Sequence, residues 1–339
     1  MKKRVGLVGL GRHMESRIYP TLEMMNVGHL AFGYDIDHGR QNFFAETHRL
    51  KGITPGGLSR KLVDVDCLVT ALPPTESSEV LAECGKTGIP LYLEKPGLRS
   101  TIDFKIARKL LGPNQNKVSM GFNFRFAPAF MAARKHLERN GAGPRLGTLR
   151  FLSKYPSGEE WGSRTPFEAW IRNNGVHAFD LVNWLFGPPD EARVTGVSWA
   201  DGRFLASCAI KWQNGSDLRI EFGNATKGFQ LALSVQCGVQ TRVHVDSLST
   251  CSAIDLETGL TTELFRDNEM IGTAKAGYKG SLHEFLARKH GTAKLGATLD
   301  DGENAMRLAE RLLESAHEFA FEPPEISRGE KKAAAPYAE

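Results

Sequence analysis

The sequence predicts an α/β domain built on a doubly wound parallel sheet, followed by an α+β domain. Up to about residue 122, short and nearly all-apolar runs alternate with helical patterns, the rhythm of strands buried on both faces and joined by crossover helices. Beyond that point turn signals such as Asp201-Gly202 and Asn214-Gly215 separate closely spaced strand patterns, which favours antiparallel hairpins. A length of 339 residues, at ~150 per domain, makes about two domains. The expected division is 1–122, 123–322 and a tail, 323–339, whose Lys331-Lys332-Ala333-Ala334-Ala335 has no core to join.

The elements follow in order. Arg4 to Val8 reads as a strand, then a glycine turn and a helix to about Met25. Leu30 to Tyr34 is a strand and Asn42 to His48 helical; Asp66 to Ala71 is the next strand and Thr75 to Thr87 the next helix. Pro90 to Leu93, the helix Ile102 to Leu111 and the strand Val118 to Phe122 complete the first domain. The second opens with a helix over Pro128 to Arg139. Its strands are expected at Gly147–Lys154, Arg193–Trp199, Leu205–Trp212, Leu218–Phe222, Phe229–Cys237 and Arg242–Asp246, with a last pair around Thr258-Gly259. Two helices close the chain, near Leu282 to His290 and from Glu303 to Phe319. The latter carries a single apolar stripe through Ala305, Leu308, Ala309, Leu312, Ala316 and Phe319.

Composition narrows the function. Hydrophobic residues make up 41% and charged residues 24%, ordinary for a soluble globular chain. No run approaches the ~18 apolar residues of a membrane span. Lys and Arg exceed Asp and Glu by only 43 to 39, and the short basic clusters sit inside helical patterns, so nothing argues for nucleic acid. The five cysteines, Cys67, Cys84, Cys208, Cys237 and Cys251, are scattered with no CxxC pair. That excludes a disulfide framework or cysteine zinc site and suits reduced thiols in the cytoplasm. No metal site is expected. Gly85-Lys86-Thr87 lacks the earlier glycine of a phosphate loop, and His283-Glu284 lacks the second histidine of a zinc motif.

The turn Val8-Gly9-Leu10-Gly11-Arg12-His13-Met14 joins the first strand to its helix. Gly9 suits the tight bend, and Gly11 lets backbone N–H groups approach a pyrophosphate at the helix N-terminus. The third glycine of the fingerprint is replaced by Met14, which must push the helix from the strand or fill the gap between them. Asp35 closes the second strand 24 residues beyond Gly11, near the spacing of an acid that binds the adenosine ribose. Its carboxylate favours NAD over NADP; read locally, Asp35 is a turn residue or helix cap. Arg12 complicates the preference, since a cation there serves either the pyrophosphate or a 2′-phosphate.

A second constellation follows: Leu93-Glu94-Lys95-Pro96 at a strand end, Gly121-Phe122-Asn123-Phe124-Arg125-Phe126, then Asn173-Asn174-Gly175-Val176-His177-Ala178-Phe179-Asp180 and Trp184-Leu185-Phe186-Gly187. In this order, and with the glycine turn, the chain resembles the Gfo/Idh/MocA family of NAD(P)-dependent oxidoreductases over roughly residues 3 to 320. The resemblance implies a Rossmann domain and a second domain with a large, mostly antiparallel open sheet that builds homodimers or homotetramers. It implies sugar, inositol or related polyol substrates. It also maps the family's lysine onto Lys95, beside the nicotinamide and the reacting hydroxyl, and its acid–base histidine onto His177. Pro73 falls near the nicotinamide ribose, with Arg12, His13 and Met14 along the turn; Glu94 serves to place Lys95 or a ribose hydroxyl, or equally makes a structural ion pair. Histidine suits proton transfer because its pKa of ~6.5 lies near working pH, and an ammonium stabilises a developing alkoxide. Asp180, one helical turn on, either orients the imidazole or pairs with a neighbour.

Many members of the family carry an aspartate four residues before the histidine; here that position is Asn173, which hydrogen-bonds a hydroxyl but cannot take its proton. The substrate pocket is expected between the domains, lined by Tyr155, Trp161, Arg164, Trp170, Arg172 and Asn173, with Arg125 and Tyr278 reaching it from neighbouring segments. Trp161 and Trp170 equally suit a core or an interface. The leading expectation is an NAD(H)-dependent oxidoreductase, with NADP possible. The alternatives are a redox-assisted lyase or epimerase that retains NAD, and a nicotinamide- or sugar-binding regulatory protein without chemistry.

Overall fold

The computed structural model describes residues 2–26, 28–48, 50, 58–140, 143–154, 160–200, 202–268, 270, 272–287 and 296–316. Tyr155, the tail 323–339 and the expected helix end at Phe319 lie outside them. The first part of the chain alternates strands and helices: β1 (Lys3–Val8), a π-helical turn (Met14–Ile18) running into α1 (Tyr19–Met25), β2 (Gly28–Tyr34), α2 (His38–His48), α3 (Leu58–Lys61), β3 (Cys67–Thr70), α4 (Ser77–Thr87), β4 (Leu91–Leu93), α5 (Thr101–Leu111) and β5 (Val118–Met120). The five strands form one parallel sheet in the order β2-β1-β3-β4-β5. Strand order reverses between β1 and β3, the crevice at which such sheets bind ligands.

Alternation along the strands divides the apolar side chains between two layers. Val5 and Leu7 of β1, with Cys67 and Val69 of β3, pack with Met14, Ile18 and Tyr19. Val8 and Leu68 point the other way, into the larger core shared with Val80, Leu81 and Phe104 of α4 and α5. Gly85 has a packing role: a Cβ there would lie 1.9 Å from the Leu110 carbonyl oxygen, so its absence lets α4 and α5 meet. The decoy triplet Gly85-Lys86-Thr87 is thus the end of a packed helix.

From α6 (Pro128–Asn140) the chain enters the second sheet at β6 (Arg145–Leu152), leaves through α7 (Pro166–Trp170), a π-helical turn (Ile171–Gly175) and α8 (Val176–Phe186), and returns as β7 (Glu191–Ala200), β8 (Arg203–Lys211), β9 (Asp217–Gly223), β10 (Gln230–Cys237), β11 (Thr241–Asp246), β12 (Thr250–Asp255) and β13 (Thr261–Arg266). The order is β13-β12-β11-β10-β6-β9-β8-β7. All neighbours are antiparallel except β6 and β9, which run parallel from Leu146↔Asp217 to Leu152↔Gly223. The excursion through α7, α8 and the β7–β8 hairpin brings the chain back in the direction of β6, a long-range pairing that hairpin signals do not encode.

Three further helices, α9 (Gly272–Lys275), α10 (Tyr278–Ala287) and α11 (Leu299–Ala316), tie the two sheets together. In α10, Leu282 and Phe285 join the Met14 layer of the first sheet, and Ser281 Oγ lies 3.0 Å from Tyr92 Oη in the core. Leu308, Ala309 and Leu312 of α11 are buried in the larger core, as the apolar stripe predicted. All five cysteines are buried and unpaired. Among the described residues no helix is long and apolar enough to cross a membrane, and no group of three or more His, Cys, Asp or Glu is placed to hold a metal ion.

Candidate cofactor cleft and active site

The turn after β1 is built as its glycines require. Gly9 sits at φ +80° and its N–H donates to the Tyr34 carbonyl at 2.8 Å; a Cβ there would lie 2.5 Å from the Ala71 oxygen. Only glycine meets both demands. At Gly11 a Cβ would meet nothing closer than Arg40 Nη1 at 3.6 Å, which leaves that side of the turn open to a ligand. Met14 fills the gap between helix and strand: it is completely buried, and the wider π-helical turn begins at this residue.

Asp35 is buried, and its two carboxylate oxygens accept the N–H groups of Leu10 (2.7 Å) and Asp37 (2.9 Å). A carboxylate offers about four acceptor sites, so capacity remains for ribose hydroxyls. Arg40, which belongs to no motif in the sequence, brings Nη1 to 4.0 Å from Asp35 and Nε to 3.6 Å from Asp37. A cleft of about 380 Å³ runs from Asp35 and Arg40 past Gly9, Gly11 and Pro73 to Glu94 and Lys95. Arg12, exposed, and His13 also line it. The volume lies within the range of small-molecule sites. The glycine cradle, the part-filled carboxylate and the position at the switch point together fit a dinucleotide.

At the far end, Glu94 is buried at the tip of β4. Its Oε2 accepts the Lys95 N–H at 3.0 Å, and its Oε1 faces His13 Nε2 at 3.6 Å; neither of these two facing atoms has a hydrogen-bond partner. The Lys95–Pro96 bond is cis. Lys95 is half-buried, and its Nζ donates to the Asn173 carbonyl at 3.2 Å. Burial lowers its pKa, while Glu94 and Glu160 act to raise it.

The π-helical turn before α8 carries Asn173 and delivers His177 into the first turn of that helix. The imidazole is 7% exposed and lies over the Phe124 ring, centroids 4.5 Å apart and tilted by 30°. Its pKa lies well below the ordinary 6.5 because burial, and then the charges of Lys95 and His13, disfavour the cation. Nδ1 is buried without a partner. His177 is thus a neutral imidazole set behind Lys95 rather than a wall of the large cleft.

Several sequence expectations are corrected here. Arg125 is not among the residues lining the described cavities: it is buried, with Nε and Nη2 on the two Asp180 oxygens (2.8 and 2.5 Å) and Nη2 also 2.9 Å from Asp301. Against the cost of burial, these carboxylates hold the guanidinium in its charged form. Of the two expectations for Asp180, the contacts are those of a pair with a neighbour, Arg125. Trp170 is a core residue, fully buried, stacked on Phe222 at 5.3 Å and bonded through Nε1 to the Ser153 carbonyl. Arg164 is exposed outside the described cavities, its N–H on Glu168 Oε2.

The other predicted residues do converge. Trp161 stands between the large cleft and an adjoining cavity of about 250 Å³, which Ser100, Arg99, Arg172 and Asn173 also line. Tyr278 is buried at the start of α10, its ring 5.8 Å from that of His13. Glu160 was missed; its Oε2 accepts the Asn173 amide at 3.2 Å. Only its adjacency to Trp161 in sequence hinted at it. Arg40 had a weak signal, a cation in the first turn of a helix, where the dipole favours anions.

No family model matches the chain. Inositol 2-dehydrogenase 2 of Saccharopolyspora erythraea is 24% identical over 96% of this chain and 97% of its own length. The fold is shared with a dehydrogenase from Chromobacterium violaceum (TM-score 0.81, 19% identity, 93% of this chain and 98% of that one). An oxidoreductase from Agrobacterium radiobacter, solved with NAD+, L-tartaric acid and magnesium, is also similar (TM-score 0.77, 16% identity, 94% and 97%). Full-length likeness to an inositol 2-dehydrogenase, the shared two-sheet fold and the ordered motifs all support the resemblance to the Gfo/Idh/MocA family of NAD(P)-dependent oxidoreductases.

Proposed function

We propose that the protein is a nicotinamide-dependent oxidoreductase that moves a hydride between NAD(H) and a hydroxyl-bearing carbon of a cyclitol, sugar or related polyol. The observation that carries this reading is the pairing of unlike environments at one end of the glycine-turn cleft. There Lys95 stands beside the Glu94 carboxylate with its Nζ on the Asn173 carbonyl, while His177 is packed on the Phe124 ring, where burial disfavours its cation. Support comes also from what the Saccharopolyspora relative is named for and from the NAD+ held by the Agrobacterium neighbour.

The turn at Gly9 and Gly11 takes the pyrophosphate on backbone N–H groups at the helix start, and Asp35 accepts the ribose hydroxyls. A bound nicotinamide supplies the hydride acceptor for oxidation and the donor for reduction. During oxidation the substrate loses a hydride and its hydroxyl proton together. Lys95 Nζ steadies the negative charge that develops on the oxygen. His177 accepts the proton on its imidazole, which burial has left empty at neutral pH. The polar cavity beside Trp161, with Ser100 and Asn173, offers partners for further hydroxyls.

Incubation with a panel of cyclitols and sugars, followed by the absorbance of reduced nicotinamide, tests the reading. One polyol should reduce the cofactor, and Lys95→Met and His177→Ala should each lower kcat by about a hundredfold or more while NADH affinity stays within about twofold. A chain that binds NADH but oxidises no member of the panel, with both variants identical to wild type, would overturn it.

A further inference from the structure

Asn173 stands at the position where the resemblance expects an aspartate, yet an amide carries no charge and takes no proton. A carboxylate stands against it. Asn173 is 5% exposed, its carbonyl accepts Lys95 Nζ at 3.2 Å, and its Nδ2 donates to Glu160 Oε2 at 3.2 Å. Glu160 is brought there by a sharp turn: the Ser163 N–H returns to the Glu160 carbonyl at 3.0 Å, with Trp161 at φ +48° and Gly162 at φ +81°. The left-handed conformation is unfavourable for tryptophan by about 1–2 kcal/mol. It is sustained where the surrounding structure demands it, commonly at functional sites.

We propose that Glu160 supplies the carboxylate of this active site, a positioning residue that fixes the Asn173 amide and balances the charge of Lys95 toward the reacting oxygen. The inference rests on the oxidoreductase reading above. The charged and titratable groups that act on Lys95 are Glu94 beside it in the chain, Glu160 through its bond to Asn173, and His177; His13 acts on His177 and faces Glu94. Glu94 already spends one oxygen on the Lys95 N–H and turns the other to His13. Glu160 is the second of the two carboxylates that raise the lysine's pKa against its burial. With its Nδ2 held, Asn173 meets a substrate hydroxyl through an acceptor oxygen, while the proton is left to His177.

Glu160→Gln keeps a hydrogen-bond acceptor for Asn173 and removes only the charge; Glu160→Asp keeps the charge. Acylation of Lys95 by acetic anhydride across pH, followed by peptide mass spectrometry, reads the lysine's titration without any turnover. The midpoint should fall by about one unit in Glu160→Gln, the low end of what a nearby opposite charge supplies, and stay near wild type in Glu160→Asp. In turnover, the alkaline limb of kcat/KM should move to lower pH in Glu160→Gln and be restored by Glu160→Asp, with NADH affinity unchanged in both. An unmoved midpoint in Glu160→Gln would overturn the proposal even if the wild type is an active dehydrogenase. A shifted midpoint in a chain that oxidises no polyol would instead leave Glu160's coupling to Lys95 standing and sink the oxidoreductase reading.

Discussion

Replacing Asp180 by asparagine tests whether this residue holds Arg125 or orients His177. The substitution keeps the shape and removes the charge. Arg125 is 5% exposed and makes two short contacts to Asp180, with Asp301 at 2.9 Å as its remaining anion. Breaking a buried pair by neutralising one partner costs about 3–5 kcal/mol; because Asp301 remains, the lower end, about 3 kcal/mol, is expected. At about 2–4 °C per kcal/mol for a unit of this size, that is a fall in Tm of about 6–12 °C. All five tryptophans lie between residues 161 and 212, so intrinsic fluorescence reports the part of the chain around Asp180. Urea and thermal unfolding should both show the loss, with NADH affinity unchanged. Arg125→Met combined with Asp180→Leu should recover much of it, since a buried pair exchanged for apolar groups is often neutral. A loss below about 1 kcal/mol, accompanied by collapse of turnover, would refute the assignment and return Asp180 to His177.

Three further outcomes follow from the site. Gly9→Ala forces a Cβ to within 2.5 Å of the Ala71 oxygen at φ +80°; calorimetric titration should show NADH binding weakened by at least tenfold, with about 2 kcal/mol of stability lost. Asp35→Ala should cut NADH affinity while sparing NADPH, and Arg40→Ala should weaken whatever NADPH binding exists, because Arg40 rather than Arg12 stands against Asp35. Since His177 titrates well below 6.5 in the fold, the acid limb of kcat/KM for oxidation should lie well below that pH. The same shift costs stability: as pH falls below 6.5 the unfolded chain takes up a proton that the buried imidazole refuses. His177→Gln should therefore flatten the acid side of the stability profile.

What the sequence revealed was local. The strand and helix rhythm of the first sheet, and turns such as Gly202, Gly215 and Gly259, each at positive φ, are written in neighbouring residues. So is the glycine turn with Asp35. The parallel pairing of β6 with β9 spans some seventy residues of intervening chain and leaves no local trace. Trp170 and Arg125 look like pocket residues because aromatic and guanidinium groups suit sugars. Only packing against Phe222 and burial beside Asp180 and Asp301 reveal them as core. Glu160 escaped for the opposite reason, as an acidic residue without motif, brought to Asn173 by a turn whose strain is visible only in three dimensions.

The central claim is that the cleft over Gly9, Gly11 and Asp35 holds a nicotinamide dinucleotide. Isothermal titration of the purified full chain, freed of ligand, with NADH and NADPH tests it most directly. The account predicts saturable binding of one NADH per chain, tighter than NADPH and abolished or severely weakened by Gly9→Ala. Failure of either dinucleotide to bind a folded wild-type chain would contradict it.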